Sequence, residues 1–174
     1  MIFIKILFFI FPIFSQPTID WFVEYNGSGE ESHGHFILKC DDGGFIQVGE
    51  TDFLPNSKLY VVKTNENGQF LWEREINIGN HNLGNSVIEL DDGYLICGGL
   101  NRNSALIKLD KQTGATIFSQ TFNNGGTDAF EHAAITPNGI VAVGYVYAQD
   151  PQNTFYTEGQ GYMMFLDNNG NQIS

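Results

Sequence analysis

The chain has 174 residues, 42% of them hydrophobic and 14% aromatic, which is enough for one domain with a real core. Its formal net charge is −12 with only 8 Lys and Arg, a balance that repels duplex nucleic acid and anionic membrane surfaces. Its acidity reads first as solubility, because no dense acidic loop supports a cation site, and its 20 glycines suit a fold with many turns.

Residues 1–15 read as a secretory signal peptide. Lys5 is the only charge in MIFIKILFFIFPIFSQ, and Ile6 to Phe14 is apolar apart from Pro12. That run is shorter than the about 20 residues a bilayer requires, and it fits the apolar core of a signal. Ser15 is the small residue at which cleavage would fall, with an uncleaved anchor as the alternative. The expected localisation is therefore extracellular, with residues 16–174 as the mature region and no other membrane segment.

Ile19 to Gly27, IDWFVEYNG, aligns with Phe70 to Gly79, FLWEREINIG, so that Trp21 matches Trp72. The mature chain thus opens on what looks like the last strand of a repeat, at 19–26. The first full repeat, 34–76, then follows with strands expected at Phe36–Cys40, Phe45–Val48, Leu59–Lys63 and Phe70–Glu75. Asp41-Asp42-Gly43-Gly44 and Asn65-Glu66-Asn67-Gly68 are turns of the type in which glycine supplies a positive φ. The second repeat, 84–122, predicts strands at Ser86–Leu90, Tyr94–Cys97, Ala105–Leu109 and Thr116–Phe122. The third, 129–174, predicts Phe130–Thr136, Ile140–Val143 and Tyr162–Leu166, and reaches Ser174 just inside a fourth strand.

Two glycine series set the period. Gly43, Gly93 and Gly139 lie 50 and 46 positions apart, and Gly68, Gly114 and Gly170 lie 46 and 56 apart. A period of roughly 40 to 50 residues built from short strands predicts an all-β, β-propeller-like array of four-stranded antiparallel blades. The middle strands read as unbroken apolar runs (FIQV, YLIC, IVAV; LYVV, ALI, YMMF), which predicts sheets covered on both faces. No segment has a helical period. About three repeats do not close a ring of the usual four to eight blades. The expectation is a fragment or truncated gene product, with self-association through the open faces and an open curved stack as the alternatives.

The quoted repeats resemble the secreted β-propeller family found widely in bacteria and some protists, whose repeat reads approximately DGG-[YF]-I-L-x-G-x-T, then Y-L-[VI]-K-[TL]-D-x-x-G-x-x-x-W. Asp42-Gly43-Gly44-Phe45-Ile46, Val48-Gly49-Glu50-Thr51 and Tyr60-Val61-Val62-Lys63-Thr64 match it, with Gly68 and Trp72 following. The second repeat carries Phe118 in place of the tryptophan. The third carries Asn138-Gly139 for the aspartate-glycine and Phe165 for the lysine. The resemblance implies the fold and brings no catalytic motif.

Alternating strand direction places the tight turns on one face and the longer loops on the other: Asn26 to Gly34, Glu50 to Ser57, Gly79 to Asn85, Gly98 to Ser104, Asn123 to Ala129 and Tyr145 to Gly161. Long loops on a rigid scaffold are where binding residues collect. The last of these loops is the most aromatic, so Tyr145, Tyr147, Asp150, Phe155 and Tyr156 are the candidate ligand-binding residues. They suit a carbohydrate or a protein segment, with a loop that packs its own aromatics as the competing reading. His33, His35 and His81 share this face, but no carboxylate is fixed by spacing to join them, so no metal is expected. The repeats put Asn85 and Glu131 where His35 sits. No catalytic constellation or cofactor motif occurs. Cys40 and Cys97 fall at core positions of different repeats and are expected as buried thiols without a disulfide. Asn26-Gly27-Ser28 is a candidate glycosylation sequon.

The leading expectation is a non-enzymatic secreted binding module for a protein or carbohydrate ligand, acting through the long-loop face. Two alternatives stay open: part of an extracellular enzyme, hydrolase or quinoprotein-like, whose site lies partly outside this chain, and a structural spacer of a surface protein.

Overall fold

From Ser32 onward, the short β-branched and aromatic runs between turns become strands among the described residues. The computed structural model describes residues 21–52, 55–148 and 159–173. Among them the fold is all-β, with eleven antiparallel strands in three sheets and no helix. Sheet A is β1 (Ser32–Lys39), β2 (Phe45–Thr51), β3 (Lys58–Thr64) and β4 (Phe70–Ile76), paired in sequence order. Sheet B repeats this with β5 (Leu83–Leu90), β6 (Gly93–Leu100), β7 (Asn103–Leu109) and β8 (Thr116–Phe122). Sheet C holds β9 (Thr127–Thr136), β10 (Gly139–Ala148) and β11 (Gln160–Leu166), followed by a single bridge from Leu166 to Gln172.

Two cores lie between successive sheets. Ile46, Val48, Leu59 and Val61 of sheet A meet Val87, Ile96 and Ile107 of sheet B. On the other side of sheet B, Leu95, Cys97 and Leu106 meet Ile140, Ala142, Met164 and Leu166 of sheet C. Sheet B is therefore covered on both faces, and β6 is buried along its whole length. Sheet C is covered on one face only: β11 alternates, with Met164 and Leu166 buried and Met163 and Phe165 exposed by 58% and 46%. The run Tyr162-Met163-Met164-Phe165 thus departs from the two-faced burial its composition predicts, because among the described residues no sheet packs over the second face at Met163 and Phe165.

The same two devices recur in all three sheets. The first is a bulge in the leading strand: His35, Asn85 and Glu131 are each an extra residue with no partner in the register. Opposite them stand Gly49, Gly98 and Gly144. A Cβ there would lie 1.8, 2.0 and 2.0 Å from the carbonyl oxygens of His33, Leu83 and Ala129, so only glycine admits the bulged backbone. The second device joins neighbouring sheets. Gly68, Gly114 and Gly170 turn with φ of +72°, +65° and +80°, and the rings of Trp21, Trp72 and Phe118 lie over them. Each ring comes from the segment one sheet earlier. Trp21 does so although residues 21–26 take no strand; with no described neighbour to pair with, they lie across the far face of sheet A, Trp21 5.8 Å from Phe45.

Three sequence expectations are corrected here. The residue equivalent to Gly93 and Gly139 is Gly44, not Gly43: in all three a Cβ would press on the carbonyl of Thr64, Leu109 or Leu166. Gly43 is an insertion in the longer first turn. Gly98 to Ser104 is not a long loop, because β6 and β7 run on to a two-residue turn at Asn101 and Arg102, both with positive φ (49° and 66°) as a tight hairpin demands. Tyr145 and Tyr147 lie in β10 rather than in a loop, Tyr145 opposite both Ala129 and Gly161. Tyr145 favours the extended pleated backbone and prolongs the strand, whereas Tyr147, with φ of +60°, sits in an irregularity between Tyr145 and Ala148.

The lysine of each full repeat also finds its reason. Lys63 is 1% exposed and reaches Asp42 at 2.8 Å, and Lys108 reaches Asp92 at 2.6 Å. Sheet C carries neither partner, since Asn138 and Phe165 occupy both places, so the two departures in the third repeat are one lost ion pair.

Candidate functional site

A bulge re-aims the side chain it carries, and here the three bulges bring their side chains together. Asn85 donates from Nδ2 to the Phe130 carbonyl at 2.9 Å, tying β5 to β9 beside Glu131. Phe36, next to His35, meets the ring of His132, next to Glu131, edge-on at 5.8 Å. The leading strands of sheets A, B and C thus converge along one line, and His35, Asn85 and Glu131 mark it.

Charge gathers at the sheet A end of this line. Glu50, almost buried at the end of β2, has its Oε1 3.7 Å from His33 Nδ1 and 3.7 Å from His35 Nε2. Burial pushes its carboxyl above the usual carboxylate range, while His35, His33 and the Ser57 hydroxyl draw it back in part. Glu131 stands exposed at its bulge, yet the protein around its carboxyl still pushes it upward, against the pull of His132 and His35. Glu31 reaches His33 Nε2 at 3.8 Å from the solvent side. The result is two carboxyls of raised pKa among three imidazoles. Such a cluster can donate hydrogen bonds to a polar ligand and accept them from it. Among the described residues no group of three His, Cys, Asp or Glu side chains is arranged to hold a metal ion.

The loops above this line are held stiffly. Asp128, 1% exposed, accepts from the Asn124 amide at 2.7 Å and the Tyr147 amide at 2.8 Å. Asn82, fully buried, does the same for Ile78 and Asn101 at 3.3 and 3.0 Å. Backbone bonds then link loop to loop, from His81 to Pro55, Arg102 to His81 and Asp128 to Arg102. His81 is buried in this network with φ of +60°, away from any metal-binding group with His33 and His35.

Of the five aromatic-loop candidates, Asp150, Phe155 and Tyr156 lie outside the described residues. Tyr147 is 46% exposed beside Gly125, and Tyr145 is half-buried in β10. Asn26 is exposed, and the hydroxyl of its sequon Ser28 donates to Glu75 while accepting from Lys58 Nζ at 2.7 Å. Cys40 and Cys97 are both buried and free, and burial pushes the Cys97 thiol up to about 12.

Sequence reasoning noticed that His35, Asn85 and Glu131 are equivalent but not that they meet. The signal that could have found them is the glycine four residues after Phe45, Tyr94 and Ile140 in the second strand of each repeat (Gly49, Gly98, Gly144), because a glycine inside a strand marks a bulge opposite. Two further clefts, of 550 and 560 Å³, open on the tight-turn face between sheets A and B and between B and C. Asp41, Asp42, Glu89 and Lys111 line the first, and Asp91, Asp92, Lys108 and Asn168 the second.

No family model matches the chain, and no curated protein is detectably similar to it.

Proposed function

We propose that the chain is a secreted β-propeller repeat protein and that its three sheets are consecutive blades. Its function is non-enzymatic: it binds a polar ligand, a carbohydrate or a protein segment, where the leading strands converge below the long-loop face. The observation that carries the reading is that each sheet spends its one extra residue on a different polar side chain, His35, Asn85 or Glu131, and that these come together on a rigid support. A purely structural bulge needs no such chemistry. The inter-sheet ring-on-glycine contacts and the Phe36–His132 contact between sheets A and C support the curved, blade-like stacking.

The test is a glycan and extracellular-protein array probed with the purified chain. Binding that falls about tenfold in His35→Ala and in Glu131→Gln, and is unchanged in Asp92→Asn on the opposite face, is the expected result. A blank array, or a hit indifferent to all three changes, sinks the reading. One observation favours a second reading, part of a hydrolase: Glu50 and Glu131 are both carboxyls of raised pKa, as a general acid requires. Polysaccharide turnover abolished by Glu131→Gln would support it over simple binding.

A further inference from the structure

The line on which the leading strands converge has a charge sign. β1, β5 and β9 carry one Lys or Arg among them, Lys39, and it ends β1 at the tight turn, away from the bulge. Among the loops above, Lys58 is committed to Asp52 at 3.0 Å and Glu75 at 3.7 Å, and Arg102 is half-buried in the β6–β7 turn. The line itself gathers the carboxyls of Glu31, Glu50 and Glu131, with the imidazoles of His33, His35 and His132 to offset them. An anionic ligand would meet repulsion there.

The three bulge side chains differ in what they still offer. Glu50 is already engaged between His33 and His35, each 3.7 Å away. Glu131 stands exposed, and among the described residues the charged groups acting on its carboxyl are the imidazoles of His132 and His35. Asn85 gives Nδ2 to the Phe130 carbonyl, which leaves its Oδ1 to accept. A carboxylate and an amide oxygen therefore stand on neighbouring strands, both open to a donor. Neighbouring hydroxyls of a sugar supply donors of that kind. Beside His35 opens a cavity of 230 Å³, lined also by Gly34, Phe36, Ile37 and Gln47. It is smaller than the roughly 300–1,000 Å³ that a drug-sized ligand fills. An aromatic ring, an imidazole and an amide around so small a space suit one sugar ring.

We propose that the line takes a neutral hexopyranose unit, whose hydroxyls donate to Glu131 and to Asn85 Oδ1, and that it rejects sugars bearing carboxylate or sulfate. The proposal rests on the reading of this line as a binding site, and narrows that reading from polar ligands in general to one class. A protein segment competes for the same place only through a lysine or arginine side chain. Salt would screen such an exposed charge pair, whereas it leaves hydrogen bonds from neutral hydroxyls in place.

The test is an array that pairs neutral oligosaccharides with their sialylated, uronate-bearing and sulfated forms, beside lysine-bearing and uncharged peptides, probed with the purified chain. Neutral members should bind at least about tenfold tighter than their acidic partners, and should keep that binding from about 0.15 to about 0.5 M NaCl. Glu131→Gln, which keeps the shape and removes the charge, should weaken neutral binding about tenfold. Glu131→Lys should bring the acidic members level with the neutral ones or above them. Circular dichroism establishes that both variants fold. Equal binding of acidic and neutral members by the unmodified chain would overturn the charge selection. Binding abolished by salt, or binding of lysine-bearing peptides without glycans, would overturn the sugar; if His35→Ala still removes that binding, the line stands as a binding site. A neutral-to-acidic ratio unmoved by Glu131→Lys would place the ligand elsewhere and overturn both readings, as would a blank array.

Discussion

Both seams are tied loop to loop, but sheets A and B are also fastened by polar side chains at the tight-turn rim, whereas sheets B and C rely on aromatic rings nearer the loops. At the first seam Trp72 caps Gly114 and donates Nε1 to the Lys111 carbonyl at 3.1 Å, and Arg74 donates to the carbonyls of Gly114 and Thr113. Glu89 completes the rim, accepting from the Asp41 amide at 2.8 Å and pairing with Lys111 at 2.9 Å. At the second seam those places hold Phe118, Ile135 and Asn168, which can make neither the indole bond nor the ion pair. Compensation comes from Phe130, stacked on Tyr162 at 5.5 Å and edge-on to Phe122 at 5.6 Å, and from the Tyr162 hydroxyl, which donates to Ser104 Oγ at 2.6 Å. The geometry of stacking is kept while its chemistry changes. What all the seams share is glycine under a ring and apolar strands, and these define the fold more than the polar motif residues do.

The sharpest break of this comparison is Phe130→Ala. Phe130 is fully buried at the centre of the second seam, and its removal should cost about 3–5 kcal/mol. The companion change Trp72→Phe puts the second seam's ring into the first and should cost only about 1 kcal/mol, the net worth of one hydrogen bond. Urea denaturation measures both. A Trp72→Phe loss as large as that of Phe130→Ala would show that the rim bonds, not the packed rings, hold the sheets together.

The turn glycines give the next largest contrast. Gly114 and Gly170 both have positive φ, so alanine strains either by about 1 kcal/mol or more. At Gly114 the new methyl would also sit 2.5 Å from the Trp72 ring, against 3.3 Å from the Phe118 ring at Gly170. Gly114→Ala should therefore cost about 2–3 kcal/mol and Gly170→Ala about 1. Equal losses would mean that Phe118 presses on its glycine as hard as Trp72 does.

The strands were legible in the sequence because every seam repeats its glycines and apolar runs; the eleven strands expected within the three repeats all form, whereas the leading one expected at 19–26 takes no strand in its described residues 21–26. Less legible was anything that depends on one sheet meeting another. Gly43 was chosen over Gly44 because the first turn carries an extra residue that alignment cannot place. Only the Lys63 side chain and the Thr64 carbonyl, packed against Gly44, single it out. The exposed side of β11 was hidden because Met163 and Phe165 are as apolar as core residues. The cluster of His35, Asn85 and Glu131 was visible as an alignment column but not as a meeting point. Its members are 50 and 46 residues apart, and nothing local announces that the leading strands converge.

The smallest effect separates the seams by pH. Burial pushes the Tyr162 hydroxyl up to about 12, the Ser104 bond lowering it somewhat, whereas an unfolded tyrosine titrates near ~10. A folded pKa above the unfolded one stabilises the fold fully below about pH 10. That stabilisation is lost as pH rises toward about 12, because the unfolded chain ionises first. At neutral pH Tyr162→Phe should cost about 1 kcal/mol for the lost bond to Ser104. As pH climbs from about 10 to 12 the unmodified chain weakens through this group and the phenylalanine variant does not, so the gap should close. Stability curves measured at pH 7, 10 and 11.5 decide it. A gap that stays constant would place the Tyr162 hydroxyl in contact with water, and would leave the aromatic fastening of the second seam to ring packing alone.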